Sequence, residues 1–210
     1  MGKLPEVASV GIDNRDGARK IAGHVLELGH RQITILSLEI LPDGFSGLVN
    51  GDRVQRCRGS VAQQRLLGYT DAFKDAGIDP AWVTVCEIRI NDDAEASYWT
   101  KQFLKRKRER PTAIFSMSDR MAFGALRAAA QLGLKMPRDL SIIGFDDIPQ
   151  AAGSTPALTT IRQQSRAKGQ LAAAMVVGDL AYTAEFQQLP TELMVRESVA
   201  APRIPKRSQR

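Results

Sequence analysis

Five apolar runs in this 210-residue chain each end in side chains able to hydrogen-bond a small molecule. Residues 7–12 (VASVGI) lead to Asp13, and residues 32–37 (QITILS) lead to a long segment that delivers Arg65. Residues 83–88 are followed by Arg89, Asn91 and Asp92. Residues 112–116 lead to Ser118 and Asp119, and residues 140–144 to Phe145, Asp146 and Asp147. A carboxylate accepts from two neighbouring hydroxyls, and a guanidinium donates through a fixed fork, so this mixture suits a neutral polyhydroxyl ligand. A nucleobase or nucleoside also fits, because Asp accepts from ring N–H groups. A phosphate fits poorly, since several acids would repel it. Each position has a plainer alternative: Asp13 and Asp119 as helix N-caps, Arg65 as a surface helix residue, Asp147 as a turn former.

Catalytic and metal patterns are weak. The sequence holds no G-x-x-x-x-G-K-[ST], no G-x-S-x-G and no H-E-x-x-H. GFSG at 44–47 is one residue short of a nucleophile elbow and has no strand leading into it. His24 and His30 straddle a helix end without carboxylate company, and Asp146–Asp147 lacks further acids at ligand spacing. Cys57 and Cys86 make no C-x-x-C and no disulfide framework. Trp82 and Trp99 suit core or edge packing better than sugar stacking. Binding without chemistry, metal or cofactor is the expectation.

The elements that must position these groups follow from periodicity. After the strand at 7–12, Ala18, Ile21, Ala22, Val25 and Leu26 recur at helical spacing until Gly29. Residues 41–60 hold four glycines and no period, and read as a long loop. A helix follows to about residue 76, with Leu66, Tyr69, Phe73 and Ala76 on one face. Then come a strand at 83–88, a helix at 93–107, a strand at 112–116, a helix at 119–132, a strand at 140–144, an Ala-rich helix at 164–180 and a strand at 191–196. Strands that are apolar on both faces need helices on both sides, which predicts a doubly wound parallel α/β sheet. In such sheets ligands bind beyond the carboxyl ends of the strands, where the polar residues above fall.

The net charge of +6 is concentrated in two places. Residues 101–110 hold six basic residues and one acid, and residues 201–210 hold four basic residues and no acid, so the remainder is slightly acidic. The first run reads as the solvated end of a helix, where cations also meet the negative end of its dipole. Without interleaved aromatics it does not read as a nucleic-acid face. No segment is apolar enough to span a membrane, and the start lacks a secretory pattern. A soluble, cytoplasmic protein without membrane contact is expected.

At the level of motifs, residues 9–37 and 110–163 resemble the LacI/GalR family of transcriptional regulators. The matching pieces are PTAIF, SDRMAFGALRA, IIGFDD and LTTIRQ, in the family's order, and the resemblance covers roughly residues 7–199. It implies a type I periplasmic-binding-protein-like fold, represented mainly by its carboxyl-terminal subdomain. On that reading residues 1–12 are a remnant of the amino-terminal subdomain and crossover. Residues 13–161 form the carboxyl-terminal effector subdomain, 162–189 a helix of the amino-terminal subdomain, 190–200 a returning strand and 201–210 a basic tail.

The resemblance further implies that Arg65 matches the family's effector-contacting arginine and Asp146 its ligand carboxylate. Asp13 and Gln163 match lining positions at the crossovers. Ser118–Asp119 stands where the family usually has Asn-Asp, and the loop 38–60 is longer than in many members. The implied partners are a sugar or nucleoside-like effector, a second copy of the chain bound through the carboxyl-terminal subdomain, and operator DNA reached only through a helix-turn-helix that does not precede residue 7. The chain is therefore expected to be a fragment or truncated gene product, with the face of Leu171, Ala172, Met175 and Val176 left uncovered. Two alternatives remain: a solute-binding protein for sugar transport, and an α/β enzyme acting on a sugar or nucleoside.

Overall fold

The computed structural model describes residues 9–106, 110–177 and 186–203. The parts of the expected elements at 7–8, 107 and 178–180 lie outside them, as does most of the basic tail. Strand β1 (Ser9–Ile12) leads into helix α1 (Asn14–Glu27), whose buried stripe of Ala18, Ile21, Ala22, Val25 and Leu26 is the one its spacing predicts. Strand β2 (Ile33–Ser37), short strand β3 (Gly47–Leu48), helix α2 (Gly51–Arg56) and helix α3 (Val61–Asp75) follow. Strand β4 (Val83–Glu87), helix α4 (Asp93–Leu104), strand β5 (Ala113–Ser116), helix α5 (Asp119–Gln131) and strand β6 (Ser141–Ile143) complete the central body.

The central sheet has the order β3-β4-β2-β5-β6, with every pair parallel except β3 on β4. Every residue of β2, β5 and β6 is buried, so both faces are covered. The cover is two helix pairs, α1 with α3 and α4 with α5. Each pair is closed by a glycine against a neighbouring backbone. A Cβ on Gly68 would sit 2.1 Å from the Arg15 carbonyl oxygen, and one on Gly124 would sit 2.3 Å from that of Asp93. Phe115 of β5 meets Tyr69 and Phe73 of α3 at centroid distances of 5.2 and 6.1 Å, joining α3 to the sheet.

A second unit lies beside this body. Helix α6 (Pro149–Gly153) and strand β7 (Thr160–Arg162) lead to helix α7 (Ser165–Val176), then to strands β8 (Phe186–Leu189) and β9 (Glu192–Met194). Strand β8 pairs in parallel with β1, and β9 pairs antiparallel with β7. Helix α7 packs on β1 yet buries none of its residues; Val176 is 86% exposed. Ala172 and Val176 of the expected face are open, while Leu171 and Met175 are half-buried.

The structure corrects the sequence reading in several places. Residues 41–60 are not a featureless loop: β3 pairs with the end of β4, and Asn50 caps α2 by accepting from the Arg53 N–H at 3.0 Å. Elements of two and six residues are too short to show a period. Strands β7 and β8 went unrecognised because their burial comes from pairing, not from an apolar run. Helix α4 ends at Leu104, short of residue 107, and α7 starts at Ser165 because Gln164 takes a left-handed conformation, φ 51°. Ser118, not Asp119, caps α5, accepting from the Met121 N–H at 3.1 Å.

Candidate ligand-binding site

Helix α3 places Arg65 on the same inward stripe as Leu66, Tyr69 and Phe73, which buries it to 4% exposure. The helix starts at Ser60, whose hydroxyl accepts from the Gln63 N–H at 3.1 Å. The Arg65 guanidinium donates from Nε to Asn14 Oδ1 at 2.9 Å and from Nη1 to the Met117 carbonyl oxygen. It lies 3.4 Å from the centroid of the Phe145 ring, a cation–π contact that strengthens as water is excluded. Burial pulls its pKa down to about 10, against the raising pull of the Asp146 charge, so it remains a cation at neutral pH. Its Nη2 has no acceptor among the described residues.

Asp146 and Asp147, in the turn that follows β6, take positive φ, 134° and 55°. Non-glycine residues reach this region at a cost, and such strain gathers at ligand sites. The Asp146 backbone is fixed by its N–H donating to the Ile161 carbonyl at 2.8 Å, and Oδ1 accepts from the Gln163 amide. Burial raises the Asp146 pKa to about 6; the Arg65 cation partly offsets this and the Asp119 charge adds to it. The Asp119 backbone N–H also favours the charged carboxylate, and the Arg65 cation acts on it as well, so an acceptor and the Arg65 donor share one neighbourhood.

Asp13 caps α1 by accepting from the Asp16 N–H at 2.8 Å. It also lines a cleft of about 340 Å³ with Asn14, Ser60, Gln64 and Gln188, between the end of β1 and the start of α3. The cap reading and the lining reading of Asp13 are therefore compatible. Through Asn14 this cleft adjoins Arg65.

Ser118 is buried, and its hydroxyl donates to Asn91 Oδ1 at 2.5 Å while accepting from Met121 to cap α5. Asp119 is turned into the fold. Oδ1 accepts from the Thr160 hydroxyl at 2.6 Å, and Oδ2 from the Ile148 N–H at 2.9 Å. Its pKa is raised, by burial above all, with these bonds opposing. Asp147 forms ion pairs with Arg162 at 2.7 Å and Arg196 at 2.6 Å, which matches a role in shaping the turn.

The structure thus brings Arg65, Asp146 and Gln163 together, sets Asp13 next to them across Asn14, and commits Ser118 and Asp119 to the scaffold. Sequence reasoning gave no site role to Asn14, Phe145 or the Met117 carbonyl. Asn14 pairs with a residue 51 positions away, a relation that no local spacing displays. His30 is buried, with Nδ1 2.9 Å from the Thr112 hydroxyl and Nε2 2.7 Å from the Ala200 carbonyl oxygen. It fastens the returning carboxyl-terminal segment, and burial lowers its pKa. Among the described residues no group of three or more His, Cys, Asp or Glu could hold a metal ion, and no helix is long and apolar enough to cross a membrane.

Residues 22–199 match the family model of the periplasmic binding protein-like domain. The HTH-type transcriptional repressor PurR of Proteus mirabilis is 33% identical over 195 residues, which cover 90% of this chain and 51% of that protein. The ribose operon repressor of Haemophilus influenzae is 37% identical over 150 residues, covering 70% of this chain and 39% of that protein. The structure of the dimeric Lac repressor with an 11-residue carboxyl-terminal deletion matches with a TM-score of 0.77 and 28% identity, over 94% of this chain and 65% of that one. The chain spans about half the length of the curated relatives it matches over nine-tenths of its own. Its fold and these relatives agree: the chain belongs to the periplasmic binding protein-like domain family, as found in LacI-type transcriptional regulators.

Proposed function

We propose that this chain is the ligand-sensing and self-associating portion of a LacI-type regulator and catalyses no reaction. The effector is a neutral polyhydroxyl or nucleoside-like molecule. The observation that carries this is the buried Arg65 guanidinium, with one nitrogen unpaired among the described residues, held within electrostatic reach of the Asp146 carboxylate beside the Asp13 cleft. Arg65 donates to ligand hydroxyls, while Asp146, Asp13 and Gln163 complete the set. Ser118 and Asp119 act by holding the start of α5 and the β6 turn in place.

In the longer protein, residues 13–161 and 190–200 form the carboxyl-terminal subdomain, and β1, α7 and β8 belong to the amino-terminal one. The exposed flank of α7 supports this division. A ligand held between two such lobes shifts their orientation, and only a differential affinity for the two arrangements changes operator binding. The α4–α5 face carries the exposed Tyr98 and the half-buried Phe123, apolar surface that supports self-association there.

The test is a thermal melt with panels of sugars and nucleobases, D-ribose first, in view of the ribose operon repressor among the relatives. A ligand at 100 times its Kd stabilises the native state by about 2.7 kcal/mol. The midpoint should rise with one ligand class and stay fixed in Arg65→Ala. No shift with any of them, or an equal shift in the variant, overturns the reading.

A further inference from the structure

Glu87, at the end of β4, has no exposed surface. Its Oε1 accepts from the Ile40 N–H at 2.8 Å, from the Leu41 N–H at 3.4 Å and from Arg53 Nη2 at 3.0 Å, and its Oε2 from Arg53 Nε at 2.5 Å. The far side of the same guanidinium donates to both oxygens of Asp43, at 2.8 and 2.7 Å, and lies 4.3 Å from the centroid of Phe45. One guanidinium therefore joins the end of β4, the turn after β2 and helix α2.

The segment it holds feeds directly into the ligand cleft. From α2 the chain passes through the fully buried Cys57, whose Sγ lies 3.0 Å from Ser60 Oγ. Ser60 caps the helix that carries Arg65 and lines the cleft beside Asp13. A buried ion pair adds little net stability compared with an apolar replacement, yet losing one partner leaves a costly bare charge. Its value here is geometric.

We propose that Glu87 and Arg53 are positioning residues for the cleft: their pair latches residues 38–57 onto β4 and so fixes the Cys57–Ser60 junction from which α3 and Arg65 begin. The link to the cleft rests on the ligand-binding function proposed above; the latch itself does not.

The two cysteines of the chain supply the test. Cys57 reports opening of the latched segment. Cys86, buried within β4, pairs with Leu36 of β2 on one side and Leu48 of the latched segment on the other; because β2 keeps β4 in the sheet when that segment alone lifts, its labelling reports opening of the sheet itself. Such local openings expose a site at less free energy than global unfolding. Each thiol is labelled with N-ethylmaleimide under native conditions and followed by peptide mass mapping, in wild type, Glu87→Gln, Arg53→Met and the double variant.

Both single variants should speed Cys57 labelling at least ten-fold relative to Cys86, and the double variant should add nothing to the faster single. Unchanged Cys57 labelling, or parallel acceleration at both cysteines, overturns the latch. Arg53→Met decides the comparison, because the Glu87 charge also helps hold the Cys86 thiol pKa up. Titration with D-ribose, or whichever probe shifts the wild-type melt, then reads the cleft. Affinity should fall at least five-fold in either single variant, and unchanged affinity with the latch open overturns the positioning role. If no probe binds wild type, the ligand reading falls, while the two labelling rates still decide the latch.

Discussion

The central sheet with its helix pairs and the unit formed by β1, β8 and α7 draw on the same residue types but bury them to opposite degrees. Strand β2 buries all five of its residues, while α7 buries none and leaves Val176 almost fully open. Both regions contain a helical glycine. Gly68 lies against the backbone of α1, whereas among the described residues no packing partner lies within 4 Å of the place a Cβ would take on Gly169. Local sequence thus sets the element, and the neighbouring layer sets what the element is worth to the fold.

The largest effect should come from Gly68→Val, because the added atoms meet a backbone carbonyl that cannot move without separating α1 from α3. A loss of about 3 kcal/mol or more is expected, read as a lower urea midpoint. A loss under about 1 kcal/mol would show that the helix pair slides freely and would break the contrast with Gly169.

Asp146→Asn should act in the other direction at neutral pH. The native carboxyl has a pKa of about 6 against an ordinary value of 3.8. Its contribution to stability is therefore full below pH 4 and disappears as pH rises through 6. At pH 7 the variant should be more stable by about 1–3 kcal/mol, with a flatter profile between pH 4 and 7, and should no longer respond to ligand. Parallel profiles for the two proteins would contradict the raised pKa.

Ser118→Ala removes the α5 cap and should cost about 1 kcal/mol, again by urea midpoint. The smallest effects belong to the outlying unit. Gly169→Ala and Val176→Ser should each change stability by less than about 0.5 kcal/mol. A gain near the full helix-propensity difference of about 1 kcal/mol in Gly169→Ala would instead place α7 in the same cooperative unit as the sheet.

How much of this was legible in the sequence differs element by element. The buried stripe of α1 and the largely apolar, β-branched β2 were readable, because one residue's partners sit at fixed offsets along the chain. Strand β8 was not: PheGlnGlnLeu has no strand alternation, and it exists through its parallel pairing with β1, more than 170 residues earlier. Within the site, Asp146 stood out as a charge placed where a strand ends, whereas Arg65, on a helix beyond a long segment, was singled out by the family resemblance. The commitment of Asp119 to Thr160 and Ile148 was invisible, since a buried carboxylate and a ligand carboxylate are the same letter until their hydrogen-bond partners are known. Glu87 and Arg53 were hidden for the same reason, 34 residues apart in a stretch with no period.

Phe145 carries a further implication, for how this protein can change over generations. One face of its ring receives the Arg65 guanidinium, and its edge comes within 3.0 Å of where a Cβ on Gly17 would sit. Position 17 is empty so that position 145 can be full. Enlarging the first presses on the second, which must give by a few tenths of an ångström, and shrinking the second removes the surface on which Arg65 rests. The two positions are therefore coupled in volume, and any lineage that shrinks position 145 must also find another seat for the arginine.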